Sequence, residues 1–202
     1  MTSIGYTLDR RAVVAAMLAD RDEHLLVVAG LGSSAWDITA AGDTALNFPL
    51  WGAMGGAVMV GLGLALAQPT KRVFVVTGDG EMLMGLAALA TIGRQQPNNL
   101  AVVVLDNEHY GETGMQPTHT GAGTDLAAVA HACGWPKSLT VSEASGLAEA
   151  VCLARAEPGP VFIVAKVSTD PQPLVLPERD GTWLKERFRR AVLGSASGSR
   201  GS

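Results

Sequence analysis

Cysteine is scarce in this chain, which limits how the fold can be held together. Cys133 and Cys152 are the only two cysteines among 202 residues. They have no close metal-ligand spacing and supply no disulfide framework. This usage suits a reducing compartment. We therefore expect both to be small core residues and the protein to be cytoplasmic.

Positive charge is also in short supply. The chain carries 15 Lys and Arg against 19 Asp and Glu, a formal net charge of -4. No basic run occurs before the last predicted helix, so nucleic acid is not expected as the main partner. An anionic cofactor would have to be held by a metal ion and by backbone groups. Met1 to Arg11 lacks an apolar run after its charges and does not resemble a signal peptide.

Charge is absent altogether from Thr44 to Thr70, and the segment 49–67 is almost wholly apolar. A membrane-spanning helix is one interpretation of such a run. The run is rich in Gly and Ala, contains Gly55-Gly56, and is followed at once by a strand pattern. A helix packed closely against a sheet explains these features better, and no membrane is expected as a partner.

The rest of the chain alternates between helix and strand patterns. Short apolar runs predict strands, and longer segments with helical spacing predict helices. The predicted strands are 24–29, 45–48, 73–77, 101–105, 139–141 and 161–167. The predicted helices are 8–19, 55–67, 82–94, 125–133, 142–156 and 183–193.

Such alternation predicts an α/β fold: a doubly wound, mostly parallel sheet with helices on both faces. A hydrophobic content of 48% in 202 residues is compatible with one domain and its core. We assign residues 1–193 to that domain. Residues 194–202 are rich in Gly and Ser and are expected to be a flexible tail or an expression remnant.

Three strand ends carry residues that could bind a ligand. A predicted loop, Gly30-Leu31-Gly32-Ser33-Ser34, follows the first predicted strand. Gly78-Asp79-Gly80 follows the strand 73–77, and Asn107 follows the strand 101–105. Ligands of open parallel sheets bind beyond the carboxyl ends of the strands. We therefore expect the three segments to meet at one edge of the sheet.

Asp79 and Asn107 together predict half of a Mg²⁺-diphosphate site. Mg²⁺ prefers oxygen ligands and keeps few protein ones when phosphate oxygens complete its octahedron. Each residue also has a simpler interpretation, since Asp79 could cap the following helix and Asn107 could be a turn residue. The glycines beside Asp79 favour the ligand interpretation, because they let backbone amides approach a phosphate.

Gly78-Asp79-Gly80, followed at this distance by Asn107, resembles the motif of thiamine diphosphate enzymes, in the domain that holds the cofactor's diphosphate. The segments 47–55, 61–69 and 110–120 extend the resemblance. They are similar to the beta subunit of sulfopyruvate decarboxylase and to the related part of phosphonopyruvate decarboxylase. The likeness covers about Leu25 to Val167.

The resemblance implies a role for each matching residue. Asp79, the Asn107 side chain and the His109 backbone carbonyl would be the Mg²⁺ ligands. Met54 would wedge beneath the bend between the two cofactor rings, and the Gly52 carbonyl would accept the pyrimidine amino group, so both would shape the catalytic conformation. The remaining implied contacts to thiamine diphosphate are Gly32, Ser33, Gly78, Gly80, Glu81, Tyr110 and Gly111.

The resemblance also implies a partner. In this family, a glutamate on a separate pyrimidine-binding domain activates the cofactor, and this chain has no room for that domain. Glu108 and Glu112 do not match the context of that glutamate. We therefore expect an active site shared with a pyrimidine-domain subunit in a heteromer, and no activity from the chain alone.

The expected reaction is decarboxylation of a small 2-oxo acid that carries a sulfonate or phosphonate. His109, Thr118, His119 and Thr120 follow Asn107, and some of them could face that second anion; a solvated loop is the alternative. A non-catalytic regulatory module that binds Mg²⁺ and diphosphate is a different possible function. A thiamine diphosphate-dependent synthase or acyl-transfer subunit is another, because groups outside the motif choose the carbanion's acceptor.

Overall fold

A six-stranded, fully parallel sheet forms the centre of the molecule in the computed structural model, which describes residues 6–194. The strand order is β2-β1-β3-β4-β8-β7. The sheet strands are β1 (Leu25–Ala29), β2 (Asn47–Pro49), β3 (Arg72–Gly78), β4 (Leu100–Asp106), β7 (Lys137–Val141) and β8 (Val161–Lys166). A separate antiparallel pair is formed by β5 (His109–Tyr110) and β6 (Gln116–Pro117).

Within residues 6–194, eight α-helices cover the two faces of the sheet, so the predicted fold class is confirmed. They are α1 (Arg10–Leu18), α2 (Ser33–Ala40), α3 (Ala57–Ala67), α4 (Asp79–Met84), α5 (Ala88–Gln95), α6 (Leu126–Ala132), α7 (Leu147–Ala156) and α8 (Gly181–Leu193). Helices α1, α2 and α7 pack on one face, and α3, α4, α5, α6 and α8 pack on the other. Positions 195–202 of the predicted tail lie outside the described residues.

The central strands consist of apolar runs because both of their faces are covered. Every residue of β1 and of β4 is buried, and so are the five residues inside β3. Alternate side chains of each strand enter opposite core clusters: Phe74 and Val76 face one, while Val73 and Val75 face the other. A strand buried on both faces has no polar side to present to water.

Two local predictions were wrong. Residues Gly30 to Ser34 were expected to form a loop, but α2 begins at Ser33. The helix predicted over 82–94 is two helices, α4 and α5. They separate near Gly85, where a methyl group would lie 2.3 Å from the Gly55 carbonyl oxygen, so close backbone packing determines this break.

The apolar segment before β3 forms α3, as predicted, although it is buried along one face only. Val58 and Leu62 enter the core, whereas Met59, Val60 and Leu66 are exposed. No helix within residues 6–194 is long and apolar enough to cross a bilayer. Of the two cysteines, Cys133 packs beside the core, but Cys152 is exposed, so the expectation of a core position was wrong for Cys152.

The basic helix α8 packs against the rest of the fold as well as facing solvent. In α8 the Phe188 ring packs on Phe48 of the edge strand β2, with 5.2 Å between ring centroids. Arg187 forms an ion pair with Asp43 and donates to the Asn47 carbonyl. Helix α8 therefore packs along this edge of the sheet.

Candidate cofactor and metal site

A cavity with a volume of about 300 Å³ lies at the carboxyl edge of the sheet. Strands β1, β3 and β4 are neighbours, so the three strand ends singled out in the sequence meet there, as predicted. The predicted site residues that line it are Ser33, Met54, Gly78, Asp79, Gly80, Glu81, Asn107, His109, Tyr110 and Gly111. Gly32 and Gly52 are not part of the lining.

Asp79 is the first residue of α4 and is only 2% exposed. Its Oδ2 accepts a hydrogen bond from Thr118 Oγ1 at 2.5 Å, and Thr120 Oγ1 lies 3.3 Å from the same oxygen. Burial is the main cause that raises the pKa of Asp79, to about 6, and the hydroxyl of Thr118 offsets part of that effect. The ionised carboxylate is therefore poorly solvated, and a cation at this position would compensate it.

Asn107 follows β4 on the neighbouring strand and begins a turn. Its Oδ1 accepts from the His109 amide at 3.0 Å, and the His109 ring nitrogen Nδ1 lies 2.8 Å from the Asn107 carbonyl oxygen. A carboxamide oxygen can accept a second bond or bind a cation through its other lone pair. The turn interpretation and the ligand interpretation of Asn107 are thus compatible.

Glycines flank Asp79 on both sides, so no side chain projects from the residue before it or the residue after it. Gly78 precedes α4 as its N-cap, with an extended backbone. A methyl group at Gly80 would lie 2.5 Å from Tyr110 Cε1, so only glycine lets the tyrosine ring stack against the start of α4. Tyr110 therefore closes one wall of the cavity directly over the backbone of Gly80.

The Glu81 side chain is buried, although the resemblance implied only a contact between Glu81 and the cofactor. Its side chain is buried below Gly30, where a methyl group would overlap the carboxylate. Thr77 Oγ1 donates to Oε2 at 2.8 Å, and Oε1 has no partner among the described residues. Burial raises the pKa of Glu81, and the Thr77 hydroxyl and nearby amides offset part of that rise. The carboxylate thus lies between the end of β1, at Gly30, and the end of β3, at Thr77.

Met54 reaches the cavity from the segment between β2 and α3. Its side chain is 38% exposed, and it follows Ala53, whose φ is 60°. Methionines of a protein core are usually buried, so its exposure and its place in the cavity lining distinguish Met54 from a core residue.

Gly52 is exposed, and a methyl group there would meet nothing within 4 Å. Trp51 next to it donates its ring N–H to the Glu178 carbonyl at 2.7 Å.

Of the four residues considered for contact with substrate, His109 lines the cavity, but Thr118, His119 and Thr120 do not. Thr118 and Thr120 are buried, and their hydroxyls bond to carboxylates rather than line the cavity. His119 is exposed and starts a short 3-10 turn, and it is not part of the lining either. The substrate prediction for Thr118 and Thr120 is therefore corrected by the geometry: the fold turns both side chains inward.

The cavity also contains residues that the sequence did not single out. Arg10 of α1 enters the lining, where its Nη1 lies 2.5 Å from Oδ2 of buried Asp37. The segment after β8 contributes Val167, Thr169, Asp170, Pro171 and Gln172. These residues come from the first helix and from the segment that follows the last strand. No local motif marks them, although the bridge between Leu8 and Val167 brings both regions together.

Comparison with known proteins identifies the family of the chain. Residues 30–165 match the family model for the thiamine pyrophosphate enzyme, C-terminal TPP binding domain. A phosphonopyruvate decarboxylase of Streptomyces viridochromogenes is 40% identical over 154 residues, which cover 76% of this chain and 38% of that protein. Sulfopyruvate decarboxylase subunit beta of Methanocaldococcus jannaschii is 39% identical over 122 residues, which cover 60% of this chain and 64% of that subunit.

A solved structure shows the same fold. The benzoylformate decarboxylase of Polynucleobacter necessarius superposes with a TM-score of 0.71 at 22% identity, covering 83% of this chain and 34% of that one. The chain thus spans only part of the length of these proteins. The match of the family model over 30–165 includes the ends of β1, β3 and β4 that line the cavity. The chain therefore belongs to the family of thiamine pyrophosphate enzymes, as a C-terminal thiamine pyrophosphate-binding domain.

Proposed function

We propose that this chain is the diphosphate-binding subunit of a two-subunit decarboxylase that uses thiamine diphosphate and Mg²⁺ and acts on a small anionic 2-oxo acid. One observation carries the proposal. Asp79 and Asn107, which are distant in sequence, lie at the ends of adjacent parallel strands and line one cavity with Met54.

The donor set of the cavity fits a magnesium diphosphate. Asp79 supplies one buried carboxylate and Asn107 one carboxamide oxygen, and the His109 carbonyl is the proposed third ligand, so the ligands are all oxygens, as Mg²⁺ requires. Gly78 and Gly80 keep side chains away from the first turn of α4, whose amides can meet phosphate oxygens. The raised pKa of Asp79 fits a carboxylate whose charge is compensated when a cation binds.

The protein would bind and shape the cofactor, whereas the cofactor supplies the nucleophilic carbon and the electron sink for decarboxylation when it is bound. Met54 would support the bent conformation from below, and the Gly52 carbonyl would orient the pyrimidine amino group. Tyr110 and the segment after β8 would keep water from the cavity. A holder of diphosphate alone would not need an apolar side chain in the position of Met54, and this favours a catalytic role over a regulatory module.

A partner subunit is part of the proposal. The carboxylates that line the cavity are those of Asp79, Glu81, Glu112 and Asp170, and none matches the expected cofactor-activating glutamate. Apolar side chains lie open near the cavity, since Trp51, Met54 and Met115 are all exposed. The similar Methanocaldococcus protein is called subunit beta. These observations support an active site completed by a pyrimidine-domain subunit.

Reconstitution tests the proposal. We expect the purified chain with thiamine diphosphate and Mg²⁺ to release no carbon dioxide from sulfopyruvate or phosphonopyruvate. Adding a pyrimidine-domain subunit, such as one encoded beside this chain, should start release from one of the two. Activity of the lone chain would overturn the shared site. Cofactor binding by the complex without decarboxylation of any 2-oxo acid would instead support the regulatory module or a carboligating synthase.

A further inference from the structure

We infer that Thr118 and Thr120 are positioning residues that hold the Asp79 carboxylate in place for the cation. The inference rests on the proposed function and adds to it two residues that do not touch the cavity. Their hydroxyls approach the same carboxylate oxygen, Oδ2 of Asp79, at 2.5 and 3.3 Å. Within residues 6–194 no side chain donates a hydrogen bond to Oδ1, the oxygen that we assign to the cation.

The two hydroxyls also join Asp79 to a second buried carboxylate. Thr120 Oγ1 lies 2.8 Å from Oδ1 of Asp106 and 2.9 Å from Thr118 Oγ1. Each threonine has a single hydroxyl proton to donate. With both carboxylates ionised, Thr118 donates to Asp79 and Thr120 donates to Asp106, so each carboxylate receives one charge-assisted hydrogen bond.

Asp106 is itself held from three directions, which makes it a rigid anchor. Its Oδ1 accepts from the Glu108 amide at 3.1 Å as well as from Thr120, and its Oδ2 lies 2.9 Å from Lys166 Nζ. Asp106 and Lys166 occupy paired positions of β4 and β8. Asp106 thereby holds Thr120, whose hydroxyl oxygen contacts Thr118 Oγ1 at 2.9 Å and Asp79 Oδ2 at 3.3 Å.

The backbone around the threonines is fixed as well. The Thr118 amide donates to the Glu108 carbonyl at 2.7 Å, and the Thr124 amide donates to the His119 carbonyl at 3.0 Å. These bonds hold the segment after β6 against the end of β4. A carboxylate ligand whose other oxygen is held in this way loses little conformational freedom when it binds a metal, and such supporting bonds typically raise metal affinity.

The test compares Thr118→Val with Thr118→Ser in the full chain. Valine keeps the buried shape without the hydroxyl, whereas serine keeps the hydroxyl. Calorimetric titration with Mg²⁺ at saturating thiamine diphosphate should give a Kd about 10- to 100-fold weaker for the valine variant and nearly unchanged for serine. Thr120→Val should weaken Mg²⁺ binding in the same direction. Thr124→Val, in the same segment but outside the network, is the matched control.

The outcomes separate this inference from the proposed function. If Thr118→Val and Thr120→Val bind Mg²⁺ like the wild type while Asp79→Asn does not bind, the positioning role is wrong and the cofactor site stands. If the wild-type chain itself binds no Mg²⁺ with thiamine diphosphate, both are wrong. In the reconstituted complex, a raised KM for the 2-oxo acid at saturating Mg²⁺ would assign the threonines to substrate and overturn the inference.

Discussion

Asp106 and Lys166 face each other across β4 and β8, with 2.9 Å between Oδ2 and Nζ. Lys166 also lies 2.8 Å from Oε1 of Glu108, which accepts from the Tyr6 hydroxyl at the same distance. Burial opposes the charge on Lys166, but its two carboxylate partners raise its pKa above the ordinary value. Through Asp106 the ion pair contacts Thr120, one of the two threonines beside Asp79.

Replacing Lys166 by methionine should destabilise the fold by about 3–5 kcal/mol, because it leaves the Asp106 charge buried without its counter-ion. The free energy of unfolding in urea measures this loss. Lys137→Met is the matched control. Its partner Glu157 lies 2.7 Å away, but both side chains are substantially exposed, and such pairs contribute about 0–1 kcal/mol. Equal losses in the two variants would show that the inner pair has no special role.

Asp79→Asn should abolish Mg²⁺-dependent binding of thiamine diphosphate while the fold survives. The carboxamide keeps an acceptor for Thr118 and removes a charge that is costly to bury, so the unfolding temperature should stay equal or rise. Calorimetry measures binding, and circular dichroism follows unfolding. Asp180→Asn is the control: it neutralises a carboxylate that does not line the cavity and preserves the helix cap of α8. Unchanged cofactor binding by Asp79→Asn would overturn the metal site.

Gly80→Ala should weaken cofactor binding by about tenfold or more, because a methyl group there displaces Tyr110 from the cavity wall and overpacking costs about 1–3 kcal/mol. Gly63→Ala makes the same change within α3, where a methyl group meets nothing within 4 Å. That control should gain about 0.5–1 kcal/mol of stability and leave binding unchanged. Equal cofactor affinity of the two variants would contradict the role of the Tyr110 wall.

Met54→Ala should lower kcat of the reconstituted complex by about 10- to 100-fold, because a small misplacement of a reacting group has an effect of that size. The unfolding temperature should hardly change, since the side chain is partly exposed. Steady-state kinetics at saturating cofactor measure the loss. Met59→Ala truncates a methionine of similar exposure on α3 that does not line the cavity. A normal kcat for Met54→Ala would remove Met54 from the catalytic residues.

Much of the site was predictable because its main residues directly follow apolar runs. The runs that end at Ala29, Gly78 and Asp106 are buried on both faces, which favours parallel pairing, and parallel strands bring their carboxyl ends to one edge. Asp79 and Asn107 were identified on that basis. The helix α2 was missed because it begins at the predicted Gly-Ser loop, where only the tertiary packing of Ala35 and Ile38 favours a helix.

The sequence by itself determined the fold class, the three strand ends and the family resemblance, because strand periodicity and strand-end residues are local properties. Tertiary structure alone decided that Thr118 and Thr120 face Asp79 and Asp106 instead of the cavity. It also brought Arg10 and the segment after β8 into the lining. The direction of a loop side chain depends on partners far away in sequence, and those partners become neighbours only when the sheet has formed.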